Sequence, residues 1–359
     1  MDRLRAGIIG CGGIAESKEM PAIKATGLVD MVAFCDTASE RAERAAQEFG
    51  AKGAKTYTDY RALLEEKNID LVYVCTPNCF HREMTVAALN AGKHVMCEKP
   101  MAMNTAEAQE MVAAAKANNK VLTIAYQNRF RPDSLYLKEE CKKGVLGEIY
   151  FAKARAIRRR AVPTWGVFLD EAMQGGGPLI DIGTHALDLT LWMMDNYQPK
   201  YVVGTVYHKL NKQRNTGNAW GDWDPEKFTV EDSAFGFVVM ENGATVILES
   251  SWALNSLETL EAATLLCGTE AGADMFDGLR INGVKNGRPY VLKPDFSTGG
   301  VDFYAGASTK PEVLEQLSFL QAVRGQGELV VKPEEALVVT QILEAIYESA
   351  KTGQPVYFS

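Results

Sequence analysis

The sequence predicts an α/β half followed by an α+β half: a parallel sheet flanked by helices, then a large, mainly antiparallel open sheet. Three observations predict this. Short apolar runs alternate with helical stretches as far as Ala125. Beyond about residue 130, long alternating runs follow one another with few helices between them. The 359 residues also exceed what one hydrophobic core usually holds, so two domains are expected, 1–128 and 129–359.

The elements follow in order. Residues 4–10 form a buried strand ending in glycines, and VDMVAFC at 29–35 a second. SERAERAAQEF at 39–49 reads as a helix, as does 58–66. DLVYVC at 70–75 is a third strand, and the helix 81–90 ends before Gly92. Strand 94–97, helix 105–118 and strand 121–125 complete the alternation, which implies a parallel sheet. In the second half, 147–159, 201–209, 233–240, 244–251 and 261–267 read as strands. Asn242-Gly243 signals a hairpin between two of them. One helix, 178–194, interrupts this half, and two more, 312–323 and 333–351, close the chain.

Composition narrows the function. With 47% hydrophobic and 23% charged residues the chain is a folded globular protein. Thirty-eight basic against 46 acidic residues leave a charge of −8, which excludes general attraction to nucleic acid or anionic membrane. No segment approaches the roughly 18 to 20 uninterrupted apolar residues of a membrane helix. The N-terminus runs straight into a strand, so no signal peptide is expected. Seven scattered cysteines read as reduced thiols of a cytoplasmic protein.

The first strand runs into Gly10-Cys11-Gly12-Gly13-Ile14-Ala15, the G-x-G-x-x-A form of the dinucleotide fingerprint. Gly10 permits a tight turn, Gly12 lets the backbone approach a pyrophosphate, and the small Ala15 lets helix pack on strand. Phosphates then lie against backbone N–H groups at the helix N-terminus. An acid, Asp36, ends the next strand. Its carboxylate suits the ribose hydroxyls of NAD and repels the 2′-phosphate of NADP; the alternative is a cap for helix 39–49.

Two further loops lie at the carboxyl ends of strands, where such sheets bind ligands. They are Thr76-Pro77-Asn78-Cys79-Phe80-His81 and Glu98-Lys99-Pro100. Lys99 is placed to hydrogen-bond a substrate alcohol and steady the charge on its oxygen. In the second half, Gly175-Gly176-Gly177-Pro178 leads into a helix that carries Asp181 and His185 four apart on one face, with Asp188 beyond them. An acid so placed holds an imidazole in one tautomer and raises its basicity. No metal is expected, because Cys75, Cys79, His81, His94 and Cys97 fit no common zinc spacing. The long loop 211–231, with Trp220 and Trp223, is expected over the mouth of the substrate site; the alternative is a subunit interface.

Together, the fingerprint at 10–15, Asp36, Thr76-Pro77-Asn78, Glu98-Lys99-Pro100 and the 175–185 segment resemble the Gfo/Idh/MocA oxidoreductases over nearly the whole chain. The resemblance implies an N-terminal Rossmann domain that binds NAD and a C-terminal sheet that assembles homo-oligomers. It implies a catalytic group of Lys99, Asp181 and His185, with the proton carried by either Lys99 or His185. It further implies cofactor contacts from Thr76, Pro77, Asn78, His81, Glu98, Lys99, Asn128 and Trp165, with Trp165 also reaching the substrate. The family often has Arg after that Trp; here Gly166 follows. The implied reaction oxidises a secondary ring hydroxyl of a sugar, glycoside or cyclitol. The alternatives are a redox-neutral cycle with tightly held NAD and a non-catalytic sensor.

Overall fold

A computed structural model describes residues 3–296 and 310–358. The chain divides into two compact units, Met1–Gln127 with Thr309–Leu337, and Asn128–Ser308 with Val338–Ser359.

The first unit is built on six strands: β1 (Leu4–Ile9), β2 (Val29–Cys35), β3 (Lys55–Tyr57), β4 (Leu71–Val74), β5 (His94–Cys97) and β6 (Leu122–Ile124). They pair in the order β3-β2-β1-β4-β5-β6, every neighbour parallel. The expected doubly wound α/β fold is therefore present. Its strand order reverses direction between β1 and β4, the usual place for a ligand crevice. Strands buried on both faces must be apolar throughout, and all four residues of β4, LVYV, are buried. The helix Pro311–Val323 returns from the far end of the chain to this unit. Its Phe319 and Leu320 join Ile8, Phe34 and Tyr73 in one apolar cluster. The sequence division at 128/129 places this helix with the second half, because its amphipathic pattern does not say which sheet it covers.

The second unit holds a nine-stranded sheet: β7 (Ile149–Ile157), β8 (Pro199–Tyr207), β9 (Ser233–Met240), β10 (Thr245–Ser251), β11 (Leu260–Gly268), β12 (Ala271–Asp274), β13 (Arg280–Lys285), β14 (Arg288–Leu292) and β15 (Val356–Tyr357). The order is β14-β13-β12-β11-β7-β10-β9-β8-β15. All neighbours are antiparallel except β7 and β10. The expected hairpin at Asn242-Gly243 joins β9 to β10. Helix Thr184–Met194 packs on β7 and β11. The β7 residues Ala152, Ala154 and Ala156 are fully buried, and their small size lets a helix lie close to the strand. Helix Pro132–Lys142, strand β3 and strands β12 to β15 were not read from the sequence; most are short or lack strong periodicity. Among the described residues, no helix is long and apolar enough to cross a membrane.

Candidate active site

In the first unit, β1, β2, β4 and β5 are parallel, so Gly10, Asp36, Thr76 and Lys99 follow the same ends of neighbouring strands. Gly10 has φ +91°, and a Cβ there would lie 2.5 Å from the Cys75 carbonyl oxygen. Only glycine lets the two strands end this close together. By contrast, nothing lies within 4 Å of a Cβ placed on Gly12 or Gly13. The space before this loop is open, and the chain is helical from Gly13 onward. Its first backbone N–H groups and helix dipole fit a pyrophosphate. Asp36 does not cap helix Ser39–Phe49, whose N-cap is Ala38. Its Oδ2 accepts the Cys11 N–H at 2.9 Å and its Oδ1 the Ala38 N–H at 2.9 Å. One carboxylate thus joins the glycine loop to the end of β2.

His81 departs from its expected role. It is fully buried, with Nδ1 2.7 Å from the Pro100 carbonyl oxygen and Nε2 2.8 Å from that of Thr76. Both nitrogens are occupied by the backbone, so neither is offered to a cofactor. The ring joins the Thr76-Pro77 loop to the Lys99-Pro100 loop, whose peptide is cis. Burial lowers its pKa, and the neutral ring donates to only one of the two carbonyls at a time.

Beneath Lys99 lies a buried charge cluster that no sequence motif announced. The Lys99 backbone N–H donates to Glu98 Oε2 at 3.2 Å. Glu98 Oε1 pairs with Lys18 Nζ at 2.9 Å, and Lys18 also meets Glu19 Oε1 at 2.8 Å. Glu315 and Gln316 close the cluster from helix Pro311–Val323, with Gln316 donating to Glu19 Oε2 at 2.7 Å. Three carboxyl groups share one ammonium. Burial pushes Glu19 up to about 7, and Glu315 is also raised by burial. Glu98 is lowered despite burial, because Lys18 and then Lys99 favour its charge. The chain reaches this cluster through a π turn, Ala15–Glu19, directly after the fingerprint.

The second unit shows a parallel device. The expected helix from Pro178 begins instead as a π turn, Leu179–Gly183, before helix Thr184–Met194. Asp181 lies in the π turn and His185 in the α-helix that follows; π turns are frequent at functional sites. Trp252 donates its indole N–H to Asp181 Oδ2 at 3.0 Å. The glycine run admits two close neighbours: a Cβ on Gly176 would collide with the Tyr347 hydroxyl, and one on Gly177 with the Glu231 backbone oxygen. The buried Glu231 carboxylate accepts from Gly177 N (2.7 Å), Leu179 N (3.1 Å) and the Tyr347 hydroxyl (2.8 Å). It thus serves the unpaired N–H groups at the helix start. Glu231, Tyr347 and Trp252 were missed because each is distant in sequence and carries no local signal. Asp188 has a different task from Asp181: Arg129 holds both its oxygens. Asn128 lies in the 3-10 turn Gln127–Phe130, next to that arginine.

Trp165 is 52% exposed and contacts Trp220, which is 44% exposed, with ring centroids 4.9 Å apart. Trp223, paired with Trp220 in the sequence reading, is instead buried, and its indole N–H donates to the Asn211 carbonyl. Cys75 and Cys97 are buried thiols whose pKa values burial raises. Among the described residues, no group of three or more His, Cys, Asp or Glu side chains could hold a metal ion.

Residues 4–126 match the family described as "Oxidoreductase family, NAD-binding Rossmann fold", and residues 134–273 match its "GFO/IDH/MocA C-terminal domain". The chain is 37% identical over 353 residues to D-glucoside 3-dehydrogenase of Escherichia coli K12, covering 98% of this chain and 97% of that one. The chain belongs to the Gfo/Idh/MocA family of oxidoreductases. This Gfo/Idh/MocA chain is an NAD-dependent oxidoreductase, as its sequence resemblance implied. It is also 31% identical to 1,5-anhydro-D-fructose reductase of Ensifer adhaerens, over 71% of each chain. The fold matches levoglucosan dehydrogenase solved with NADH, at a TM-score of 0.84 and 21% identity over the full length of both chains.

Proposed function

We propose that this enzyme oxidises one secondary ring hydroxyl of a sugar, glycoside or cyclitol, with a glycoside as the preferred substrate, and releases the reduced cofactor each turnover. The observation that carries this reading is the end-to-end similarity to D-glucoside 3-dehydrogenase, in a chain that has Lys99, Asp181 and His185. NAD, when bound, supplies the hydride acceptor. The Gly10–Ala15 loop holds its pyrophosphate, and Asp36 selects its unphosphorylated ribose. Thr76, Pro77, Asn78, Glu98, Asn128 and Trp165 line its remaining length. Lys99 donates a hydrogen bond to the substrate oxygen and steadies its developing charge. His185 takes the hydroxyl proton, and Asp181, itself held by Trp252, fixes the imidazole. The named relatives are dehydrogenases and reductases, which favours net turnover over a redox-neutral cycle or a sensor.

The experiment is NADH release across a panel of glucosides, free sugars and inositols, with Lys99→Met as control. Steady release by the wild type and none by the variant, with NAD affinity preserved, is the expected result. A single stoichiometric burst would support the redox-neutral cycle.

We further propose a cytoplasmic homo-oligomer assembled through the outer face of the second sheet. All seven cysteines are free, which suits a reducing compartment. One face of the sheet is covered, whereas Val203, Tyr207 and Phe237 on the other are each about two-fifths exposed. Val203 and Phe237 are directly opposite each other on β8 and β9, forming an apolar strip that suits a second copy. Sedimentation analysis checks this; Phe237→Glu is expected to give monomers.

A further inference from the structure

We infer that Trp220 and Trp165 form a subsite for the aglycone of a glycoside, adjoining Asp181. This rests on the glycoside reading above. Two large indoles in edge-to-face contact are both about half exposed, which costs apolar hydration unless something covers them.

The pair is held rigidly. Asn218 Oδ1 accepts the Val162 N–H at 2.8 Å, and its Nδ2 donates to the Val162 carbonyl at 3.0 Å. Ala219 N donates to the Arg160 carbonyl at 3.0 Å, and the Thr164 hydroxyl donates to the Trp220 carbonyl at 2.7 Å. These bonds fasten the long loop to the segment that carries Trp165, at Trp220 and at the two residues before it. Ordering entropy is therefore already spent, as a binding surface requires. Trp223 anchors the loop from below, edge-on to Phe228 at 5.8 Å.

The pair is also continuous with the candidate catalytic residues of its own unit. Trp165 meets Phe168 at 5.9 Å, Phe168 meets Trp252 at 6.4 Å, and Trp252 bonds Asp181. A second route is electrostatic. The Arg158 guanidinium lies 5.4 Å from the Trp220 ring centre, and its pKa, which burial alone would lower, is raised by Glu261 and by Asp181. The surface is thus apolar on its faces, with Arg158, Thr164 and Arg160 fixed at its rim. That chemistry suits a ring with an apolar face and a polar edge, either an aryl group or a second pyranose. A glycosyl hydroxyl presented toward Asp181 places such an aglycone on the indoles.

The test compares wild type, Trp220→Ala and Trp220→Phe on phenyl glucoside, a glucosyl disaccharide, methyl glucoside and glucose. The expected result for Trp220→Ala is a loss of roughly tenfold or more in the ratio of kcat/KM for a ring aglycone over glucose. Trp220→Phe should recover most of it. Loss confined to phenyl glucoside assigns an aryl aglycone, and loss confined to the disaccharide assigns a sugar. Quenching of tryptophan fluorescence by the same glycosides, without turnover, should weaken in parallel. An unchanged ratio, or dissociation on gel filtration with equal losses on every substrate, overturns the subsite and makes Trp220 an assembly residue. Failure of the wild type to oxidise any of the four would instead overturn the glycoside reading itself.

Discussion

Arg129 and Asp188 are both buried and meet in two parallel bonds, Nε to Oδ2 at 2.9 Å and Nη2 to Oδ1 at 2.6 Å. The guanidinium also lies 5.4 Å from the Trp192 ring centre. Asp188 follows Asp181 and His185 on the same helical segment, yet its charge is satisfied by this arginine. The pair locks the start of the second unit to the helix that carries His185.

Arg129→Met should therefore destabilise the protein by about 3–5 kcal/mol, because it leaves Asp188 charged, buried and unpaired. Adding Asp188→Leu should restore much of that loss, since two apolar groups of similar volume leave no charge behind. Urea denaturation of the single and double variants measures both. A double variant no more stable than the single would show that the pair contributes more than charge compensation.

His185→Ala should lower kcat by roughly two to four orders of magnitude, the usual contribution of a placed general base. Asp181→Asn should cost less, because it weakens orientation but keeps the imidazole. Trp252→Phe, which removes only the 3.0 Å bond to Asp181, should cost less again. Single-turnover rates against pH rank the three. A profile unmoved by His185→Ala would assign the proton to Lys99.

Asp36→Ser should narrow the preference for NAD over NADP, since it removes the carboxylate that would repel a 2′-phosphate. The hydroxyl can still accept one of the two N–H bonds that Asp36 receives from Cys11 and Ala38, so the loop should persist. The measurement is the ratio of kcat/KM for the two cofactors. No movement would reduce Asp36 to a brace for the glycine loop.

Glu19 links pH to stability. Burial raises its folded pKa from 4.5 to about 7, so the folded state holds a proton that the unfolded chain has released. Its contribution is full below about 4.5 and declines as pH rises toward about 7. Glu19→Gln removes this titration. The variant should gain on the wild type as pH rises through that window, read as the difference in Tm between them. A difference that stays constant with pH would show that Glu19 does not titrate there.

The sequence by itself determined most of what depends on local pattern, with helix Pro132–Lys142 and the π turn Leu179–Gly183 as exceptions. Alternating apolar runs specify a parallel sheet, and Gly10 specifies a tight turn that only glycine permits. Asn242-Gly243 specifies a hairpin, and the residues proposed for catalysis stand in motifs short enough to read. Tertiary structure decided what depends on distant pairing. It directed His81 inward to two backbone carbonyls, gave Asp188 to Arg129 and buried Trp223 while leaving Trp220 exposed. It brought Glu231 and Tyr347 to the glycine run and Glu315 to Lys18, across separations no periodicity encodes. The physical reason is the same in each case. A local motif sets backbone conformation, whereas the partner of a buried polar group is whichever side chain the packed fold delivers to it.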